Sequence, residues 1–142
     1  MASGLYGETF VNALDGTAAI DLNSDTIKIM LVTSSYTPDF GAHGHKSDVT
    51  NEVSGTNYTA GGNTLGSLSL TQTGGTIKFD AADTSWSSAT ITNARGAVIY
   101  DDSFTNDPLI GYLDFGSDFS SSNGTFTNAF NAGGIFTIDL TP

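Results

Sequence analysis

Cysteine is absent from all 142 residues, which excludes disulfide frameworks, thiolate zinc sites, iron–sulfur clusters and cysteine nucleophiles together. Positive charge is scarce. Lys28, Lys46, Lys78 and Arg95 stand singly against 15 Asp and Glu, for a formal net charge of −11. A chain that neutralises phosphates needs a basic patch, so no nucleic-acid partner is expected, and four scattered cations cannot make a polybasic membrane anchor. No apolar run approaches the roughly 18 residues of a membrane-spanning helix, so no membrane partner is expected either. Residues 1–7 carry neither a basic flank nor an apolar stretch, and no secretory leader is expected there. With two His and one Trp, the chain has little material for imidazole chemistry or for a broad indole platform.

What is present points one way. Gly, Ser, Thr and Asn make up 63 of the 142 residues, and nine Phe and five Tyr accompany them. This is the composition of a turn-rich β protein with an aromatic core; a disordered chain lacks the Phe and the β-branched runs. Leu5, Tyr6, Thr9, Phe10, Ala13 and Leu14 repeat at helical spacing, with Ser3 as an N-cap and Gly16 as a stop, which predicts one short helix over about residues 3–15. From residue 18 to 141 the chain alternates short β-forming runs with Gly, Asn or Asp clusters. Strands are predicted at 18–22, 26–33, 48–53, 58–60, 64–73, 76–80, 89–92, 96–101, 109–115, 124–130 and 135–140. Residues 26–33 are apolar at nearly every position, so that strand is expected to be buried on both faces. Gly74-Gly75 and Asn123-Gly124 carry the strongest tight-hairpin signals, because the central residues of such turns need positive φ. Strand spacing near ten residues with no linker predicts a single all-β sandwich domain over residues 1–142.

The candidate chemistry is thin. Asp39, His43, His45 and Asp48 fall within ten residues on one loop and have the donor types of a zinc or nickel site, but a loop lacks the rigid spacing that fixes ligand geometry. Asp21, Asn23 and Asp25 imitate the start of a calcium loop. Thr26 stands where that loop needs Gly and Val32 where it needs a bidentate Glu, so a hydrogen-bonded turn is expected instead. Asp101, Asp102 and Asp107 place carboxylates near strand ends, as a glycosidase requires, though in so acidic a chain their adjacency says little. No Ser sits in a nucleophile elbow, and the Gly pairs lie between strands rather than at a helix start. A non-enzymatic protein without a cofactor is expected. Two kinds of surface compete for its function. Leu5, Tyr6, Phe10 and Leu14 form an apolar N-terminal segment suited to a protein interface, while Tyr36, Phe40, Tyr58, Phe104 and Phe119, in or beside loops, are available to stack on sugar rings, with the platform expected at Tyr36, Phe40 or Phe104.

Residues 25–36, 47–53, 58–65 and 94–101, the Gly4-Leu5-Tyr6 start and residues 134–138 resemble, in order and spacing, a family of small virion structural proteins of tailed bacteriophages. Members of that family decorate (cement) the phage head or form the base of a head spike. The resemblance implies a jelly-roll-like β-sandwich, no enzymatic activity, the major capsid protein or neighbouring virion proteins as partners, and a place on the head surface after synthesis in the host cytoplasm. A homo-oligomer is expected, since many weak symmetric contacts add by avidity. The second reading is a glycan-binding module of a head spike or tail fibre.

Overall fold

The computed structural model describes residues 2–141. They form β1 (Gly4–Leu5), α1 (Gly7–Leu14), β2 (Ile27–Thr33), β3 (Asn63–Thr64), β4 (Ser69–Thr73), β5 (Thr76–Asp80), β6 (Thr84–Asp101), β7 (Leu109–Asn128) and β8 (Phe136–Asp139). The strands make two antiparallel sheets, one of order β1-β7-β6-β2-β3 and one of order β4-β5-β8. The smaller sheet covers one face of the larger. The architecture is an all-β sandwich with one short helix.

β2 lies between β6 and β3 and is buried mostly on both faces, as predicted from Ile27, Ile29 and Leu31 alternating with Lys28, Met30 and Val32. Ile27, Ile29 and Leu31 point inward to a core shared with Trp86, Ile91, Ile99 and the Phe79 of β5. Met30 and Val32 point outward into a second cluster with Val98, Leu109 and the tyrosines Tyr6, Tyr36, Tyr100 and Tyr112. The segment after β2, with Tyr36, Phe40 and Val49, covers this second cluster as an irregular strap over the outer face of the sheet.

Gly74 and Gly75, at φ +57° and +81°, join β4 to β5 in the tight hairpin their sequence predicts. The Asn123-Gly124 pair does not turn. Asn123 takes φ +49° inside β7, where its N–H bonds to Thr90 Oγ1 and the register with β6 shifts. Similar positive-φ residues, Ser88 and Asn93 in β6 and Gly116 in β7, accompany the register shifts at Trp86/Ala89, Ile91/Ala94 and Ala94/Gly96. A bulge and a hairpin turn recruit the same residue types, so four expected strands merge into two of 18 and 20 residues.

Other boundaries move for local reasons. The helix begins at Gly7, not at residue 3, because Gly4 and Leu5 pair with Tyr112 and Gly111 as β1. Ser3 does not cap it; Ser3 Oγ accepts from the Asp114 N–H at 2.9 Å. Residues 18–22 and 58–60 form no strand, and 48–53 makes only a bridge from Glu52 to Val32 after a 3-10 turn at Lys46–Asp48. The 64–73 run breaks after Thr64, where the chain passes from one sheet to the other.

Candidate functional site

The apolar N-terminal segment divides when it folds. Tyr6 is fully buried at the start of α1, and its hydroxyl is 2.8 Å from that of Tyr36. Burial above all, and then the Tyr36 hydroxyl, hold the Tyr6 phenol protonated far above its ordinary range. Tyr6 therefore cannot contribute to an exposed interface. Leu5 is half-buried in β1, and Phe10 packs edge-on against Phe136 with ring centres 5.7 Å apart. Thr9 anchors the helix by donating its hydroxyl to the Leu109 carbonyl.

Leu14 alone of the four stays open, at 89% exposure, because the helix has only its first turns over the sandwich and ends at this residue. Val11, one turn earlier, is 61% exposed and completes an apolar helix end that the sequence reading did not include. Its signal was present as an apolar residue off the expected stripe. Between α1 and β4 lies a groove of about 150 Å³ lined by Phe10, Ala13, Ile20, Leu22 and Leu70. The arrangement offers a small apolar projection next to an apolar groove, which suits contact with another protein and supplies no reacting group.

Of the proposed sugar-stacking residues, Tyr36 and Tyr58 are buried, Phe40 and Phe104 are half-buried, and Phe119 stays half-exposed. Tyr36 is buried, and its hydroxyl lies 3.0 Å from His43 Nδ1 as well as against Tyr6. Phe40 lies over Gly4 and 5.3 Å from the Tyr6 ring. Phe104 is half-buried in the β6–β7 connection. The reason is common to Tyr36 and Phe40: the strap spends its aromatics on closing the outer core. The half-exposed aromatic ring is Phe119, on β7.

His43 and His45 serve the strap's own hydrogen bonds. The Asp39 N–H donates to His43 Nδ1 at 3.2 Å, which makes that nitrogen an acceptor, while His45 Nε2 is 3.6 Å from Glu8 Oε1. Asp39 accepts from the N–H groups of Gly41 and Ala42, and Asp48 from those of Gly44 and His45. The two N–H donors hold the Asp48 carboxyl below the usual carboxylate range. Among the described residues no group of three or more His, Asp or Glu side chains is placed to hold a metal. Asp21 accepts from the Asn23 N–H and the Ser24 hydroxyl, a turn of the expected kind.

Asp101, Asp102 and Asp107 separate in character. Asp101 is fully buried, and burial pushes its carboxyl up to about 7, with the Asp25 carboxyl acting in the same direction. Asp102 is exposed and sits 4.0 Å from Lys28. Burial raises Asp107 as well, with Asp102 adding to it. A carboxyl sealed from solvent touches no substrate, which removes Asp101 from any hydrolytic pair, while Asp102 and Asp107 lie close to each other and Asp107 lines an open groove with His45 and Lys46.

Compared with protein-family models, curated proteins and solved structures, the chain matches none. No helix is long and apolar enough to cross a membrane among the described residues.

Proposed function

We propose that this protein is a non-enzymatic structural protein of a phage virion, a decoration protein that attaches to the outside of the head and stabilises it. The observation that carries this reading is the apolar end of α1, with Val11 and Leu14 projecting beside the groove at Leu70 on an otherwise acidic chain. The resemblance of the sequence blocks to phage head proteins supports it. A rigid sandwich with one small apolar foot suits repeated attachment to symmetry-equivalent sites, where each bound copy stabilises the shell by mass action. Major capsid protein is the expected partner. The glycan-binding reading draws no support from Tyr36 or Phe40, whose rings are spent on packing.

The test is co-sedimentation with heads of the same phage assembled without the protein, and separately with unassembled capsid subunit. Saturable binding to assembled heads, in a ratio set by shell symmetry and lost in Leu14→Gln, is the expected result. Absence of binding, or a few copies per particle, overturns the decoration reading.

A further inference from the structure

The later part of β7 is an unfinished sheet edge. β1 covers it only at Gly111 and Tyr112, and Ser3 takes the Asp114 N–H. Beyond that point no strand of the described residues lies against β7 on the side away from β6. Between the positive-φ residues Gly116 and Asn123 run residues 117–122, exposed along nearly their whole length, with the register shift against β6 between Asp114 and Phe119 at their start. Next to them a groove of about 390 Å³ opens, lined by Phe115, Phe119, Ser120, Ser121, Thr125 and Phe126. Phe119 is 50% exposed, with its ring edge-on to Phe115 at 6.2 Å. A long edge with free N–H and C=O groups and an exposed aromatic is the kind of feature monomeric proteins blunt with lysine or proline, and neither occurs here.

Charge selects the occupant. The chain carries net −11, so most pairs of surfaces from two copies bring acids together. This edge is the exception. Residues 119–138 contain no ionisable group, and 84–94 of the neighbouring β6 contain none. At the root of the edge Arg95 lies 3.3 Å from Asp114 and 3.4 Å from Asp118, so the acids there are already paired.

We infer that residues 117–122 of β7 pair antiparallel with the same stretch of a second copy, joining two five-stranded sheets across a two-fold axis. Two-fold symmetry across a sheet requires the pair to be centred on a residue, since opposite side chains must share a face. Centring on Phe119 sets the two rings across from each other and places Asp118 opposite Ser120 rather than opposite another acid. The edge lies in the middle of β7, beyond Leu109 where Thr9 anchors α1, so one chain can use both the edge and the α1 foot. The inference stands on the edge itself and not on attachment to a head.

Sedimentation velocity over a wide concentration range tests it on the intact chain. The wild type is expected to sediment as a dimer, and Ser120→Pro, which deletes an edge N–H and adds a ring, as a monomer. Phe119→Lys separates pairing from any folding defect of the proline variant, and it too should be monomeric with an unchanged thermal midpoint. Because the chain lacks cysteine, Phe119→Cys should form a disulfide dimer under mild oxidation, while Ser35→Cys, on the strap, should not. A wild type that is monomeric throughout overturns the inference. So does a dimer that survives both edge variants, or loss of head binding by Phe119→Lys in a protein that never dimerises, which would assign the edge to a foreign chain.

Discussion

The two faces of the five-stranded sheet are buried to the same depth by different means. On the inner face Ile27, Ile29, Leu31, Ile91 and Ile99 meet Phe79 across a second sheet, and most of the contacts are between hydrocarbon groups. On the outer face four tyrosines meet a strap with no strand of its own. A covering sheet satisfies its backbone through its own ladder, so the side chains it presents can be apolar throughout. A covering loop brings unpaired N–H and C=O groups that must find partners. The strap solves this with side chains: Asp39 and Asp48 each take two of its N–H groups, and His43 takes a fifth. The tyrosines extend the same solution inward, with Tyr6, Tyr36 and His43 in one chain of hydrogen bonds and the Tyr100 hydroxyl donating to the Gly61 carbonyl. Apolar area dominates one face and hydrogen-bond accounting the other, and this difference decides what each tolerates.

The largest expected effect is on the inner face. Phe79→Ala leaves a cavity between sheets that cannot close without moving β5, and should cost about 3–5 kcal/mol in urea unfolding. A loss below that of an outer-face hydrogen-bond variant would break the comparison, since the second sheet would then contribute little.

Next in size is a pH effect at the polar end of the inner face. Asp101 Oδ2 is buried without a hydrogen-bond partner, and burial, with the Asp25 carboxyl acting in the same direction, favours a proton on the Asp101 carboxyl. The folded state keeps that proton up to about pH 7, whereas an unfolded Asp releases it near 4. The folded state therefore binds more protons across this window, and stability should rise as pH falls from 7 towards 5, by about 2 kcal/mol. Relief of repulsion in so acidic a chain acts in the same direction, so the measure is the difference from Asp101→Asn, which should lose this part of the slope in thermal melts. Below about 4 the trend reverses, because Asp21, Asp48 and Asp114 are held below their ordinary values in the fold and lose their partners on protonation. Equal slopes in wild type and variant would show that Asp101 holds no such proton.

On the outer face, Tyr36→Phe keeps the ring and removes one hydroxyl, leaving Tyr6 and His43 without their common partner. The expected cost is about 1–2 kcal/mol, with faster hydrogen exchange confined to the strap. Exchange that rises equally in β4 and β5 would show that the two faces do not open separately.

How much of this was readable in the sequence follows the same division. β2, β5 and the Gly74-Gly75 hairpin were legible because their signals are local: a run apolar on both faces but for Lys28, an alternating one and two adjacent glycines. The merging of 89–92 with 96–101 was not, because Asn93 signals positive φ without saying whether the chain turns or bulges. Tyr36 and Phe40 looked like exposed loop aromatics, since nothing near them in sequence shows that their loop folds back over a sheet and pairs Tyr36 with a residue 30 positions away. The four-residue interface was half legible. Helical spacing identified the segment, but which side faces the sandwich depends on the Thr9 hydroxyl reaching the Leu109 carbonyl 100 positions on.

The smallest expected effect on stability belongs to the residue given the largest role in function. Leu14 lies on neither buried face, so Leu14→Gln removes no packed hydrocarbon, and Gln is nearly as good a helix former. The change should move unfolding by less than about 0.5 kcal/mol, and net charge is unaltered. If the apolar end of α1 is the foot by which the protein holds a larger surface, the same substitution should abolish co-sedimentation with heads. Phe10→Ala, three-dimensionally adjacent but packed on Phe136, should instead lower stability and weaken binding together. Finding both variants equally impaired in stability would return Leu14 to the core and leave the acidic sandwich without an apolar foot. Finding stability intact and binding lost places function on the part of the molecule that folding does not need.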